Sequence, residues 1–240
     1  PGMGKTAFAV QMGFNAAKDF NIPVALFSLE MSSAQLAMRV MAEQSSIDSH
    51  KLRQGKTSPD ELMRLAQVAE EMAAVPFYID ETPGLSIFQL RAAARRMVMK
   101  HGVKLIIVDY LQLMSGGGEK GKNRDQEIGE ITKGLKQMAK EMQVPVICLS
   151  QLSRAVEQRG GSKRPQLSDL RESGNVEQDA DIVSFLYRPE YYGIMEDENG
   201  GSLAGVCEVI FAKHRNGALG TEKVKFEATF TRFSDINSFI

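Results

Sequence analysis

Lys104-Leu-Ile-Ile-Val-Asp-Tyr110 decides how this chain folds. Its unbroken apolar run has no polar face, which suits a strand covered on both sides in a parallel sheet rather than one half-exposed in an antiparallel sheet. The run ends on a carboxylate, and Gly102 just before it stops a helix that Ser86 opens. The same texture recurs outward in both directions. Upstream, Pro23-Val-Ala-Leu-Phe-Ser-Leu29 and Phe77-Tyr-Ile-Asp80 read as short buried strands. Helical periodicity fills the intervals: Thr6 to Phe20; from Ser32 or Ser33 to Gln44, with Leu36, Val40 and Met41 on one face; and from Pro59, behind a Ser58 cap, with Leu62, Leu65, Val68 and Met72 as its stripe. Downstream, Asp125 to Met142 reads as a helix and Val144-Pro-Val-Ile-Cys-Leu-Ser150 as a strand. Helix and strand alternate, so the expected architecture is α/β, a doubly wound and mostly parallel sheet. After Ser150 the texture changes. Arg159, Gly160, Gly161, Lys163 and Arg164 mark a basic loop expected to be mobile. Asp181 to Tyr187, Val206 to Lys213 and Glu222 to Ala228 then read as strands, the last two flanking Asn216-Gly217 as a C-terminal β-hairpin.

Composition narrows the classes. The 240 residues, 43% of them hydrophobic, can fill a real core, which excludes a disordered tail. With 29 basic and 30 acidic side chains the formal net charge is −1, so no whole-chain positive field recruits nucleic acid and any polyanion must be gripped locally. The only cysteines, Cys148 and Cys207, each sit within an apolar run and lack neighbouring histidines. They are expected to be free thiols in a reducing compartment rather than metal ligands or a disulfide. No apolar stretch approaches the roughly 20 residues that cross a bilayer, and no signal peptide is visible, so a soluble, intracellular protein is expected.

In an open parallel sheet, ligands sit beyond the carboxyl ends of the strands, so the polar residues that terminate apolar runs are the chemical candidates. Asp109 ends the deciding strand as a Walker B carboxylate would, placed to hold Mg²⁺. Glu30 ends the strand after the first helix and is placed to orient and deprotonate an attacking water. Gln151 ends a third strand with an uncharged amide that can sense a γ-phosphate. At the start of the chain, Pro1-Gly2-Met3-Gly4-Lys5-Thr6 matches the second half of the phosphate-loop pattern G-x-x-x-x-G-K-[ST]. There Gly2 and Gly4 let backbone N–H groups curl around phosphate oxygens, Lys5 reaches the terminal phosphates, and the Thr6 hydroxyl can hold Mg²⁺. Taken alone, the same letters describe a Gly-rich turn before a helix. The motif's first half and the strand that feeds it lie outside the sequence, which is therefore read as a fragment. Farther along, Ser168-Asp-Leu-Arg-Glu-Ser-Gly174 offers backbone N–H groups and the Arg171 charge to a phosphodiester, or forms a salt-bridged surface turn. Lys213-His-Arg-Asn-Gly217 sends Lys213 and Arg215 to the same side of the hairpin, with no carboxylate nearby in sequence. That pair suits a neighbouring subunit's γ-phosphate, or is simply solvated.

Read in order, Gly-Met-Gly-Lys-Thr, Ser-Leu-Glu-Met-Ser, Ile-Ile-Val-Asp-Tyr-Leu-Gln-Leu-Met, Leu-Ser-Gln-Leu-Ser-Arg, Asp-Leu-Arg-Glu-Ser-Gly and Lys-x-Arg-Asn-Gly resemble the C-terminal motor domain of bacterial replicative DnaB-type helicases, over essentially the whole chain. The resemblance implies a RecA-like P-loop NTPase fold spanning residues 1–240. It also implies ATP hydrolysis with Mg²⁺ at the subunit interfaces of a homohexameric ring, and 5′→3′ travel on single-stranded DNA that unwinds duplex at a replication fork. Carried onto matching positions, Lys5 and Thr6 bind phosphates and Mg²⁺, Glu30 is the catalytic base, Asp109 the Walker B carboxylate and Gln151 the γ-phosphate sensor. Arg39 makes a further phosphate contact, Arg171, Glu172 and Gly174 follow the DNA backbone, and Lys213 and Arg215 form the finger acting in trans. Primase and a helicase loader are implied partners, a bacterial cytoplasmic, nucleoid-associated setting the implied location, and no membrane is involved. The family's N-terminal collar domain and the strand before the phosphate loop are the expected absences. A RecA-like recombination or repair ATPase, and a P-loop small-molecule kinase, are the competing classes.

Overall fold

The computed structural model describes residues 2–115, 123–153 and 155–236, and of residues 171–175 the backbone alone. In chain order the elements are α1 (Lys5–Phe20), β1 (Val24–Ser28), α2 (Ser33–Ser45), α3 (Ser49–Arg53), α4 (Pro59–Ala73), β2 (Phe77–Asp80), α5 (Ile87–His101), β3 (Leu105–Asp109), α6 (Arg124–Met142), β4 (Val146–Cys148), α7 (Ala155–Gln158), α8 (Gly174–Asp179), β5 (Ile182–Tyr187), β6 (Val206–His214), β7 (Gly220–Glu227) and β8 (Arg232–Asp235). Short tight helical turns at Leu111–Leu113 and Leu167–Ser173 precede α6 and α8.

The first half is the expected parallel sheet, in the order β2-β1-β3-β4. Alternation along its two central strands explains why it is covered on both faces. Val24 and Leu26 of β1 and Ile107 of β3 pack with Val10 and Phe14 of α1 and with Leu36 and Val40 of α2. Ala25, Phe27, Ile106 and Val108 meet Leu90 and Ala94 of α5 and Ile131 and Met138 of α6 on the opposite face. Phe27 is fully buried, and truncating a side chain of that size in such a core typically costs about 3–5 kcal/mol. Helix α1 lies close against the sheet because Gly13 has no side chain: a Cβ there would stand 2.5 Å from Ile107 Cδ1. The helix starts follow their caps. Ser32, Ser58 and Ser86 each form a capping box with the Gln or Glu three residues on.

The expected hairpin is present and sits at the centre of something larger, an antiparallel sheet in the order β5-β6-β7-β8. The alternation in Arg232–Asp235 is too short to announce β8 from sequence, yet Phe233 buries its ring beside Phe226. This sheet closes onto the first helix. Gln11 of α1 donates to the Phe233 carbonyl and accepts from the Phe233 N–H, both at 2.7 Å. Among the described residues no strand joins the two sheets: β4 pairs only with β3, and β5 only with β6.

The structure adds detail to two of the sequence readings. The stripe on α4 is not a core stripe throughout, because Leu65 is its one buried residue and Leu62 is 55% exposed. The helix packs on one side, against α2 and the Phe14 cluster, and the rest faces out. The cations of the basic loop do not hang free. Arg159 pairs with Asp169, Arg164 Nε donates to Glu208 at 2.9 Å, and Lys163 donates to the Glu157 carbonyl at 2.8 Å.

Candidate nucleotide site at the strand ends

Parallel pairing places Ser28 opposite Asp109, and Val108 opposite Cys148, so β1, β3 and β4 end together. The chain continues from those ends to Glu30, Tyr110 and Gln151. Ser28 shapes the first exit: its hydroxyl donates to the Met31 carbonyl at 2.7 Å and accepts from the Met31 N–H at 3.2 Å, closing a tight turn around Glu30.

The phosphate-loop residues approach the same place. Gly2 and Gly4 have φ of +77° and +88°, the left-handed region that only glycine enters without strain, and such alternation turns successive N–H groups toward one concavity. Aromatic rings back both glycines: a Cβ on Gly2 would lie 2.8 Å from the Tyr191 ring, and one on Gly4 3.0 Å from Phe233 Cζ. Arg188 of the segment after β5 reaches the Gly2 carbonyl at 3.3 Å, is paired with Glu190, and lies over the Phe226 ring. The second sheet thus supports the loop from behind. At the start of α1, Gly4 offers no side-chain cap and the first turn holds no acid, which leaves the helix N-terminus open to an anion. Thr6 follows Lys5 in that first turn.

Lys5, Glu30, Arg39 and Asp109 form one electrostatic cluster. Burial pulls the Lys5 ammonium below its ordinary value, opposed by the charges of Asp109 and Glu30. Its Nζ sits 4.5 Å from the centre of the Tyr110 ring. Burial lowers Arg39 as well, again opposed by Asp109, so α2 delivers the guanidinium to the cluster. Cys148 forms part of the wall: burial pushes its thiol up to about 12, which leaves it protonated and inert at neutral pH. Both cysteines are free.

Asp109 is the sharpest feature of the site. It is 1% exposed, and neither carboxylate oxygen has a hydrogen-bond partner. Isolating an ionised carboxylate from water in this way costs several kcal/mol unless a cation completes it. Among the described residues no group of three or more His, Cys, Asp or Glu could hold a metal. A cation here would therefore take one carboxylate, a hydroxyl such as that of Thr6, and oxygens from phosphate or water, the coordination Mg²⁺ prefers.

Gln151 lies exposed just past β4, its backbone held by Gln112. Lys213 and Arg215 are elsewhere. Lys213 donates to the Glu177 carbonyl near the end of α8, and Arg215 donates to the Gln178 carbonyl at 2.6 Å and pairs with Asp181 at 3.4 Å. Within one chain they do not join the Lys5–Asp109 cluster. Arg171, Glu172 and Gly174 fall where the tight turn Leu167–Ser173 runs into α8, and the side chains of Arg171 and Glu172 lie outside what the structure describes. Sequence reasoning missed Ser28, Gln112, Arg188 and Tyr191. Ser28, the first residue of the Ser-Leu-Glu-Met-Ser block, and Gln112, inside the Asp109–Met114 run, carried signals that could have found them; Arg188 and Tyr191 did not.

A glycine nest leading into a helix beside an orphaned acid on a parallel strand defines the class, a P-loop nucleotide-binding α/β domain. Comparison with known proteins narrows it. The DnaB-like helicase C terminal domain family matches residues 1–235, and the chain belongs to that family. It is 45% identical over 236 residues to the replicative DNA helicase DnaB of Geobacillus stearothermophilus, and 44% identical over the same length to the replicative DNA helicase DnaC of Bacillus subtilis. Each match covers 98% of this chain and 51% of the relative, so the chain spans about half the length of these relatives. Among solved structures, an ATPase domain aligns with a TM-score of 0.91 at 37% identity, covering 99% of this chain and 82% of that one. A DnaB-like replicative helicase, described with its interactions with primase, aligns at 0.90 and 38%, covering 99% of this chain and 57% of that one. The fold expected from the resemblance is the fold found.

Proposed function

We propose that residues 1–240 are the ATP-hydrolysing motor of a replicative DNA helicase that assembles as a six-membered ring, encircles one DNA strand and moves 5′→3′ to unwind duplex at the fork. The observation that carries this reading is the buried Asp109 carboxylate with both oxygens unpartnered beside Lys5, at the head of parallel strands. Family membership supplies the rest.

The chain's own residues divide the work. The N–H groups of Gly2, Gly4 and the start of α1 bind the phosphates, and Lys5 neutralises the terminal ones. Asp109 and Thr6 would hold Mg²⁺, which when bound supplies charge neutralisation on the phosphate oxygens. Glu30 orients a water and takes its proton, while Arg39 adds positive charge close by. Gln151 registers the γ-phosphate. Lys213 and Arg215 of one subunit reach the nucleotide of the next and stabilise charge as it builds on the transferred group. Arg171, Glu172 and Gly174 follow the DNA backbone without reading bases, as a motor that crosses every sequence requires. The relative described with primase supports a primase contact for the whole protein, and a loader is the matching expectation. The setting is the bacterial cytoplasm, at the nucleoid; among the described residues no helix is long and apolar enough to cross a membrane.

The deciding experiment measures ATP hydrolysis with and without single-stranded DNA, together with electron microscopy of particles in ATP. DNA-stimulated turnover by closed rings is the expected result. Filaments would indicate a recombinase-like ATPase, and turnover indifferent to DNA would indicate a small-molecule kinase.

A further inference from the structure

The run after Asp109 contains an amide that the proposed chemistry does not use. Gln112 lies half-buried in the tight turn Leu111–Leu113 that follows β3. Its Oε1 accepts from the Gln151 N–H at 3.2 Å, and its Nε2 donates to the Gln151 carbonyl at 3.2 Å and to Ser150 Oγ at 2.9 Å. The side chain thus pairs with both backbone groups of Gln151, as a peptide of a neighbouring strand would. The position is where such a substitute is needed. The ladder between β3 and β4 stops at Val108 and Cys148, and among the described residues the last main-chain link across the gap is the Leu111 N–H to the Leu149 carbonyl at 2.9 Å. Beyond Leu149, the contacts among the described residues that fix the backbone of Gln151 to the Asp109 side come from Gln112. Gln112 is itself anchored, because its carbonyl accepts from Arg124 at 2.7 Å, and Arg124, at the start of α6, also reaches the Met114 carbonyl.

We propose that Gln112 is a positioning residue for the γ-phosphate: it locks the Gln151 backbone in register with the loop that carries Asp109, so that the Gln151 amide meets the terminal phosphate. The inference rests on the reading of Gln151 as the sensor. An exposed side chain on an unpaired segment samples many positions, and misplacing a contacting group by about 1 Å can cost on the order of a hundredfold in what it contributes. A backbone clamp removes that freedom without touching the nucleotide, so its loss should affect discrimination between triphosphate and diphosphate and leave general affinity alone.

The test compares wild type, Gln112→Ala, Gln112→Glu, Gln151→Ala and the double alanine variant by calorimetric titration with Mg²⁺ and either ADP or a non-hydrolysable ATP analogue. Wild type should prefer the triphosphate analogue. Gln112→Ala and Gln151→Ala should each reduce that preference about tenfold while the Kd for ADP stays within about twofold, and the double variant should lose no more than Gln151→Ala alone, because the two act as one unit. Gln112→Glu keeps the acceptor for the Gln151 N–H and loses the donors, so it should fall between wild type and Gln112→Ala. Additive losses in the double variant, or a parallel drop in ADP affinity with Gln112→Ala, would overturn the inference by giving Gln112 a merely structural role. A wild type with no preference for the triphosphate would overturn it by removing the sensor, whereas the DNA-stimulated hydrolysis assay judges the motor itself separately.

Discussion

Asp109 and Arg215 are both charged side chains that the proposed reaction needs, and the chain treats them in opposite ways. Asp109 lies 1% exposed at the end of β3 with neither oxygen partnered. Arg215 is about half-exposed beyond β6, hydrogen-bonded to the Gln178 carbonyl and paired with Asp181. The first arrangement is incomplete without something brought from outside. The second is complete, and Arg215 can serve a neighbour only by exchanging partners. Binding thus relieves a penalty stored at the strand ends, whereas engagement of the hairpin must displace contacts already made.

The most severe way to break this contrast is Asp109→Asn. Turnover should fall by about a thousandfold or more, since the site loses the charge that holds its cation. Stability without nucleotide should stay within about 1 kcal/mol of wild type, because relief from burying a carboxylate with no hydrogen-bond partner offsets the attraction to Lys5 and Arg39 that is lost. Steady-state hydrolysis and thermal melting in the absence of nucleotide check the two halves. A variant that melts well below wild type would mean that the carboxylate is satisfied in the free protein after all.

Glu43 sharpens the contrast from another side. It too is a buried carboxylate, but the Gln44 amide lies at 3.5 Å and the charges of Arg232 and Lys18 are close. Burial is the larger influence and pushes its pKa up to about 7. Folded protein therefore holds this proton up to about pH 7, and unfolded chain only to about 4.5, so stability falls as pH rises between those values and levels off above. The integrated effect is about 3 kcal/mol. Glu43→Gln should flatten the slope: denaturation midpoints should match wild type near pH 4.5 and exceed it at pH 8. Equal stabilities at pH 8 would remove Glu43 from the account. Burial alone does not mark a ligand site: both carboxylates have cations nearby, but Glu43 lies away from the strand ends and has an amide neighbour, whereas neither Asp109 oxygen has a hydrogen-bond partner.

The same physics sets what could be read from the sequence. The parallel half was legible because strands buried on both faces must be apolar throughout, and the residues that stop them, Glu30, Asp109 and Gln151, stand out against that background. The turn into α1 was legible because Gly2 and Gly4 stand at the spacing of a backbone nest, and both take the left-handed conformation. Partnerships across the chain left no such mark. Asp181 beside Arg215, Tyr191 behind Gly2 and Gln112 on the Gln151 backbone join residues far apart in sequence, and each involves a type that is unremarkable at its own position. The α4 stripe misled for a related reason: periodicity reports that a helix has an apolar face, and packing against α2 decides how much of that face is covered.

The smallest expected effect tests the hairpin side. The Arg215–Asp181 pair spans 3.4 Å with the two side chains 46% and 55% exposed, and pairs so wetted contribute about 0.2–1 kcal/mol. Asp181→Asn, which also removes the contact with Lys136, should therefore shift the melting temperature by less than about 8 °C. If Asp181 competes with a neighbouring subunit's phosphate for Arg215, freeing the guanidinium from a competitor of that size should raise hydrolysis by at most about fivefold. Mixing experiments make the origin of the gain visible. Arg215→Ala subunits added to wild-type rings should depress turnover more steeply than dilution predicts, and the Asp181→Asn gain should vanish in a ring whose subunits all carry Arg215→Ala. A fall in turnover with Asp181→Asn would reverse the assignment, making Asp181 the residue that aims the arginine instead of the one that withholds it.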